Sequence, residues 1–86
     1  MGTLESLRAE IRQTDEAMRT LFLRRCDLVK QIGIYKKTRH LPILDAAREA
    51  ENRRVLAEKV DESLRDQYME FLQMVMDLAK QVERDG

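Results

Sequence analysis

Charged side chains that interrupt apolar stripes are the first candidates for chemistry in this sequence. At about 100° per residue along a helix, Arg25 points the same way as Leu7, and Lys36 points the same way as Met18. Glu83 similarly falls on the apolar stripe of the last predicted helix. Because an unpaired buried charge is strongly destabilising, we expect each of these groups to meet an opposite charge in the folded protein.

A second group of polar residues follows the only proline. A helix beginning here presents two carboxylates, a guanidinium and an amide on one face, since their spacing is i, i+3, i+4 and i+7. The four residues are Asp45, Arg48, Glu49 and Asn52. From the spacing alone, a helix cap with intrahelical ion pairs is the simpler interpretation. The alternative is that this face joins the inward charges in one site.

Together these groups hold more cations than carboxylates, which suits a small dianionic ligand gripped by bidentate arginines. Arg8, on the edge of the first stripe, is a further cation. It precedes Lys36 by 28 residues, or ~42 Å along a straight helix. Both residues can therefore serve one site only if Arg8 comes from another chain, as in an antiparallel dimer.

Other kinds of active site have little support in the sequence. The only histidine is His40 and the only cysteine is Cys26, and neither lies in a metal-ligand spacing or beside a catalytic partner. Cys26 is expected to be a packed or half-exposed free thiol. There is also no glycine-rich phosphate loop. We expect no metal and no cofactor, so a reaction here would depend on positioning and electrostatics.

The element that positions most of these residues is one long helix, predicted over about residues 4–38. Its a/d seam runs for five heptads, through Leu4, Leu7, Ile11, Thr14, Met18, Leu21, Arg25, Leu28, Ile32 and Tyr35. Such a helix is ~52 Å long, whereas a compact chain of this size has a radius of gyration of ~12 Å. One chain cannot cover the seam, and we expect an obligate homodimer.

The remainder of the chain predicts two shorter helices within a single domain spanning residues 1–86. Pro42 lies in a loop at about residues 39–44, and Asp45 caps a helix that runs to about Val60. Asp61 or Ser63 caps a third helix at about residues 63–84. The fold class is all-α: an intertwined homodimeric helical bundle.

The composition restricts the class of partner and the location. Sixteen Lys and Arg balance sixteen Asp and Glu, which argues against nucleic acid as the main partner. No long apolar run, signal-peptide core or lipidation motif is present. We expect a soluble, cytoplasmic protein without a membrane partner.

In the order and separation of these residues, the chain resembles the all-helical (AroQ-class) chorismate mutases. The resemblance covers nearly the whole chain, from Leu4 to Glu83. It rests on Leu7-Arg8, Asp15, the Arg24-Arg25 pair, Gly33-x-x-Lys36, Pro42, Asp45-x-x-Arg48-Glu49 and a polar residue near the end of the third helix.

The resemblance implies a Claisen-type rearrangement of chorismate to prephenate, in phenylalanine and tyrosine biosynthesis. It implies an intertwined dimer with two sites and no covalent intermediate or cofactor. Arg8 of the partner subunit and Arg25 would bind the substrate carboxylates, with Arg48 assisting. Lys36 would contact the ether oxygen, and Glu49, with Asp45 nearby, would hold the ring hydroxyl.

The chain departs from the family pattern at two positions in the third helix. Many bacterial members have a serine and then a glutamine where this chain has Ala79 and Glu83. A glutamate donates a hydrogen bond to an ether oxygen only when it is protonated. Our hypothesis is that Glu83 is the second donor and that turnover falls as rising pH removes its proton.

Three alternatives accompany this interpretation. The same scaffold serves isochorismate pyruvate lyases and aminodeoxychorismate mutases, although Glu49 favours the mutase because the lyases lack an acidic residue directly after the helix 2 arginine. A non-enzymatic dimer, in which Arg25 and Glu83 pair across the interface to fix register, is an alternative of another class. By resemblance, such domains also occur fused to other aromatic-pathway enzymes.

Overall fold

The protein is described by a computed structural model that covers residues 3–43 and 45–85. These residues form three helices: α1 (Leu4–Thr38), α2 (Ala46–Ala57) and α3 (Glu62–Asp85). The predicted all-α class is confirmed, since no strand occurs in the ranges described. Leu44, the last residue of the predicted 39–44 loop, lies outside the described residues.

The ends of α1 are set by local hydrogen bonds. At its start the Thr3 side chain accepts a hydrogen bond from the Ser6 backbone N–H at 3.2 Å, as an N-cap does. At its end His40 adopts a left-handed conformation with φ 56°. The Leu41 N–H then donates to the Lys36 carbonyl at 2.8 Å, which is the Schellman arrangement. The chain therefore leaves α1 before it reaches Pro42.

α2 begins as the sequence predicts and ends earlier. The Asp45 carboxylate accepts from the Arg48 backbone N–H at 3.1 Å and caps the helix. The prediction that α2 runs to about Val60 is wrong, because the helix stops at Ala57. The Arg65 guanidinium donates to the carbonyl oxygens of Ala57 and Val60, at 3.1 Å and 2.9 Å. This tertiary cap satisfies carbonyls that another helical turn would otherwise use.

Of the two candidate caps for α3, the structure selects Asp61. Its carboxylate accepts hydrogen bonds from both the backbone N–H and the hydroxyl of Ser63. Ser63 itself lies inside the helix, which begins at Glu62, one residue before the predicted start.

The core is small and is organised around α3. This helix packs against both α1 and α2, whereas α1 and α2 do not pack against each other in the described residues. The buried apolar residues are Val29, Ala57, Leu72 and Met76. Two carboxylates, those of Glu49 and Glu83, are buried among them.

Much of the apolar seam of α1 lies in solvent in the single chain. Leu4 is 63 % exposed, Ile11 60 % and Leu21 65 %. The radius of gyration is 16.1 Å and the molecule measures 54 × 26 × 15 Å, well above the ~12 Å expected for a compact chain of this length. The chain alone therefore leaves the N-terminal half of α1 without an apolar partner.

No helix among the described residues combines the length and the apolar character that crossing a bilayer requires.

Candidate functional site

Two of the inward-facing charges, those of Lys36 and Glu83, meet where the C-terminal ends of α1 and α3 lie side by side. Lys36 Nζ lies 3.5 Å from Glu83 Oε2, and the two side chains are 14 % and 8 % exposed. Lys36 also donates a hydrogen bond to the Ile43 carbonyl at 2.8 Å. The ammonium is thus fixed between the end of α3 and the loop that follows α1, with one donor position left over.

Gly33 allows α3 to come close enough for this contact. A Cβ at Gly33 would lie 3.3 Å from the Glu83 carbonyl oxygen and 3.5 Å from its Cα. The first distance is tighter than ordinary van der Waals contact, and the second lies at the short end of the ordinary range. The absence of a side chain at Gly33 therefore brings the Glu83 backbone against α1, one helical turn before Lys36.

A second ion pair links α2 to α3. Lys80 Nζ lies 3.4 Å from Glu49 Oε1, and Glu49 is buried. Lys80 is a site residue that the sequence reasoning missed. Its position contains the signal, because it follows buried Met76 by four residues and precedes Glu83 by three, on one face of α3.

The two ion pairs flank a cavity of about 200 Å³. Its polar lining consists of Arg25, Asp45, Arg48, Glu49, Lys80 and Glu83. Its apolar lining consists of Leu28, Val29, Ile32, Ile43, Met76 and Ala79. The structure thus brings residues of α1, α2 and α3 together at one place. Lys36 is not part of the lining, but its ammonium pairs with Glu83, which is.

Two guanidinium groups at this cavity form no ion pair within the described part of the chain. Among the described residues, neither Arg25 nor Arg48 makes an ion pair with a carboxylate. The interpretation of the α2 N-terminus as a cap with intrahelical ion pairs is therefore half right. Asp45 is the cap, but Glu49 pairs with another helix instead of with Arg48. The free guanidinia could each hold one carboxylate of a dianionic ligand.

Arg8 is a sequence-predicted residue that the chain leaves far from this cavity, whereas Lys36 is outside the lining but pairs with Glu83, which belongs to it. It is exposed and lies on α1 beside Glu5, Arg12 and Glu16. Seventeen residues of helix separate it from Arg25, which corresponds to ~26 Å. Within one chain it takes no part in the site.

The remaining candidates for other chemistry contribute little. Cys26 is a half-buried free thiol. In the described part of the chain, no group of three or more His, Cys, Asp or Glu side chains is placed to hold a metal ion. What the cavity offers is fixed charge: guanidinium and ammonium donors, and two buried carboxylates as acceptors.

Such an arrangement can bind a small dianion and stabilise charge that develops within it. Fixed donors in a partly buried site act without having to reorganise during the reaction. The same site provides carboxylate acceptors for a hydroxyl group of the ligand.

Comparison with known proteins agrees with this description. No curated protein and no solved structure gives a significant match to the chain. The model of one family, described as chorismate mutase type II, matches residues 7–84, which include every residue of the cavity lining. The chain belongs to the chorismate mutase type II family.

Proposed function

We propose that the protein is a chorismate mutase, an isomerase that rearranges chorismate to prephenate. Family membership supports chorismate mutase activity in general. The observation that carries the specific proposal is the cavity itself. Arg25 and Arg48 line it without an ion pair among the described residues, and Glu83, which also lines it, is paired with half-buried Lys36. Chorismate has two carboxylates, a ring hydroxyl and an ether oxygen, and the cavity lining together with Lys36 offers a suitable group for each.

The two unpaired guanidinia are assigned to the substrate carboxylates. Arg25 lies on α1 and Arg48 on α2, so they approach the cavity from different helices. Bidentate hydrogen bonds from planar guanidinium groups fix a carboxylate in orientation as well as position. In this assignment the dianion is held with its reacting atoms directed towards α3.

Lys36 is assigned to the ether oxygen, whose bond to carbon breaks. Negative charge builds on that oxygen in the transition state, so a donor aimed there stabilises the transition state more than the ground state. Removing one such donor typically costs ~3 kcal/mol in barrier height. Lys36 suits this role because the Ile43 carbonyl and Glu83 already restrict its position.

Glu83 and Glu49 are assigned different tasks. Glu83 lies beside Lys36 and donates a second hydrogen bond to the ether oxygen when it carries a proton. Glu49 accepts a hydrogen bond from the ring hydroxyl, with Asp45 nearby at the same cavity. Asp45 has one carboxylate oxygen engaged in capping α2, so its other oxygen is the one free to take part.

The complete site is proposed to form in a homodimer. The single chain exposes the seam of α1 along its N-terminal half, and an antiparallel second copy would cover it. Arg8 of the partner subunit would then reach the cavity, which Arg8 of the same chain cannot. A third guanidinium would help to offset the charge of a dianion beside Glu49 and Glu83.

The non-enzymatic alternative loses support from the position of Glu83. That alternative pairs Glu83 with Arg25 across a dimer interface to fix register. In the described residues Glu83 instead pairs with Lys36 of its own chain. A buried pair within one chain does not specify how two chains align.

The test is the loss of chorismate absorbance in the ultraviolet with the purified protein, with prephenate identified as the product. Arg25→Ala and Lys36→Ala are expected to lower kcat/KM by about a hundredfold or more. Lys59→Ala is the matched control, because Lys59 is exposed and makes no ion pair with any other described residue. Release of pyruvate would indicate a lyase instead, and no turnover by the folded wild type would overturn the proposal.

A further inference from the structure

The ion pair between Lys80 and Glu49 is a feature that the roles above leave unexplained. Glu49 is 8 % exposed, and a carboxylate buried to that extent needs a compensating cation. Lys80 supplies the one compensating charge that the described residues provide, at 3.4 Å from Oε1. Lys80 does not pair with Glu83, one turn further along the same helix, but reaches across to α2.

The second oxygen of Glu49 is without a partner among the described residues and is not sealed inside the protein. Among the described residues no hydrogen bond or second ion pair to the Glu49 carboxylate occurs. No fully buried side-chain oxygen or nitrogen in these residues lacks a partner, so Oε2 is not sealed inside the protein. Because Glu49 lines the cavity, Oε2 is available there as a hydrogen-bond acceptor.

Lys80 itself is poorly suited to bind an anionic ligand. Its ammonium lies 3.4 Å from Glu49 and also 3.4 Å from Asp77, so its charge is already shared by two carboxylates. Arg25 and Arg48, which have no such partners, present stronger positive potential to a dianion at the same cavity. The position of Lys80 thus favours an action on Glu49 over a direct contact with substrate carboxylates.

We infer that Lys80 is a positioning residue: it pairs with Oε1 of Glu49 and holds Oε2 towards the cavity to accept the hydrogen bond of a substrate hydroxyl. This inference rests on the proposed function, because the hydroxyl belongs to the substrate. Without Lys80 the Glu49 carboxylate would turn towards water, or the first turn of α2 would shift away from α3. Either change removes the acceptor without altering Arg25 or Lys36.

The kinetic signature follows from where the hydroxyl lies. It takes no part in bond breaking, so its hydrogen bond to Glu49 is equally strong in the ground state and the transition state. Loss of such uniform binding raises KM and leaves kcat nearly unchanged. Lys80→Met, which keeps the length of the side chain without its charge, is expected to raise KM roughly ten- to a hundredfold. A purely structural defect would instead lower kcat in proportion to the folded fraction.

The test combines this variant with a double-mutant cycle. Lys80→Met is measured in the wild type and in Glu49→Gln, and in the Glu49→Gln background it is expected to change KM by less than about threefold. Lys80→Arg should restore KM to near the wild-type value, since it keeps a cation within reach of Oε1. Asp77→Asn is the matched control: it removes the other, exposed partner of Lys80 and should leave KM unchanged.

Each outcome decides between distinct explanations. Effects on KM that multiply in the double variant would overturn the inference, because Lys80 would then act independently of Glu49. A fall in kcat that follows the thermal unfolding of Lys80→Met would overturn it as well, in favour of a structural role. An inactive wild type would overturn the proposed function and this role with it, whereas an active wild type with multiplicative effects overturns the inference alone.

Discussion

The Cβ that Gly33 lacks would lie 3.3 Å from the backbone carbonyl oxygen of Glu83. This close approach of α1 and α3 occurs one turn before Lys36, where the two helices form their buried ion pair. The separation of the helices and the distance between the charged groups are therefore linked. A side chain at residue 33 acts on the site by moving a helix, not by touching substrate.

Gly33→Ala should consequently separate activity from stability. The methyl group forces the Glu83 backbone back by a few tenths of an ångström, while alanine favours the helix by about 0.5–1 kcal/mol over glycine. Because ~1 Å of misplacement can cost ~100-fold in rate, we expect a loss of roughly tenfold in kcat/KM. The measurement is kcat/KM beside thermal unfolding, and Gly33→Val should be worse in both. Wild-type kcat/KM in Gly33→Ala would show that the close approach is unnecessary for the site.

Glu83→Gln should keep the second donor that the proposed mechanism needs. A carboxyl group donates to an ether oxygen only when protonated, whereas an amide donates at every pH. We expect Glu83→Gln to stay active and Glu83→Ala to lose roughly a hundredfold in kcat. Glu70→Gln, on an exposed turn of the same helix, is the control. Wild-type kcat in Glu83→Ala would remove Glu83 from the donor role.

His40→Gly should stabilise the protein. His40 has φ 56° at the end of α1, a region that carries a penalty for a residue with a Cβ and none for glycine. The expected gain in the free energy of unfolding is up to about 1 kcal/mol, measured by denaturant titration at fixed protein concentration. His40→Ala keeps the Cβ and should show no gain. Destabilisation by His40→Gly would mean that the imidazole contributes more than the backbone penalty removes.

The cap of α3 should make stability depend on pH in a defined direction. The Ser63 hydroxyl, and then the Ser63 backbone N–H, hold the pKa of Asp61 below its usual value. A carboxyl group with a lowered pKa in the folded state stabilises the protein above its unfolded pKa, and this contribution is lost as pH falls through the folded value.

Asp61→Asn tests this dependence because an asparagine retains an oxygen to cap the helix but does not titrate. The wild type should be the more stable of the two at neutral pH. The difference in melting temperature should shrink below about pH 4, as Asp61 takes up its proton. A difference that stays constant from pH 7 to 3 would show that ionisation of Asp61 does not contribute.

The sequence was sufficient for the parts of the fold that depend on local periodicity. The 3.6-residue pattern predicted α1 over residues 4–38, and the inward direction of Glu83 on α3 is confirmed by its burial. The helix caps at Thr3 and Asp45 were also predictable from the sequence, because each side chain accepts a hydrogen bond from a backbone N–H only three residues later. These features depend on neighbours in sequence.

Features that depend on contacts between residues on different helices could not be predicted from the sequence. The end of α2 at Ala57 is set by Arg65, eight residues away on another helix. Lys80 was overlooked because a lysine near an apolar stripe usually extends its amine to water. The burial of Glu49 within reach of Lys80 is a contact between two helices, which the sequence does not show. Arg8 stays a prediction, since nothing in one chain tests its part in the site.

In the described residues α1 and α2 each pack against α3 and not against each other, so residues 79–83 of α3 form the wall that both sides of the site share. Lys80 forms its ion pair with a residue of α2 and Glu83 forms its ion pair with a residue of α1, although only one helical turn separates Lys80 from Glu83. When activity is transplanted between related chains, this five-residue segment should move as a block together with residues 36 and 49. If residues 79–83 are exchanged without residues 36 and 49, or the reverse, a charged residue from one protein would face an unmatched residue from the other.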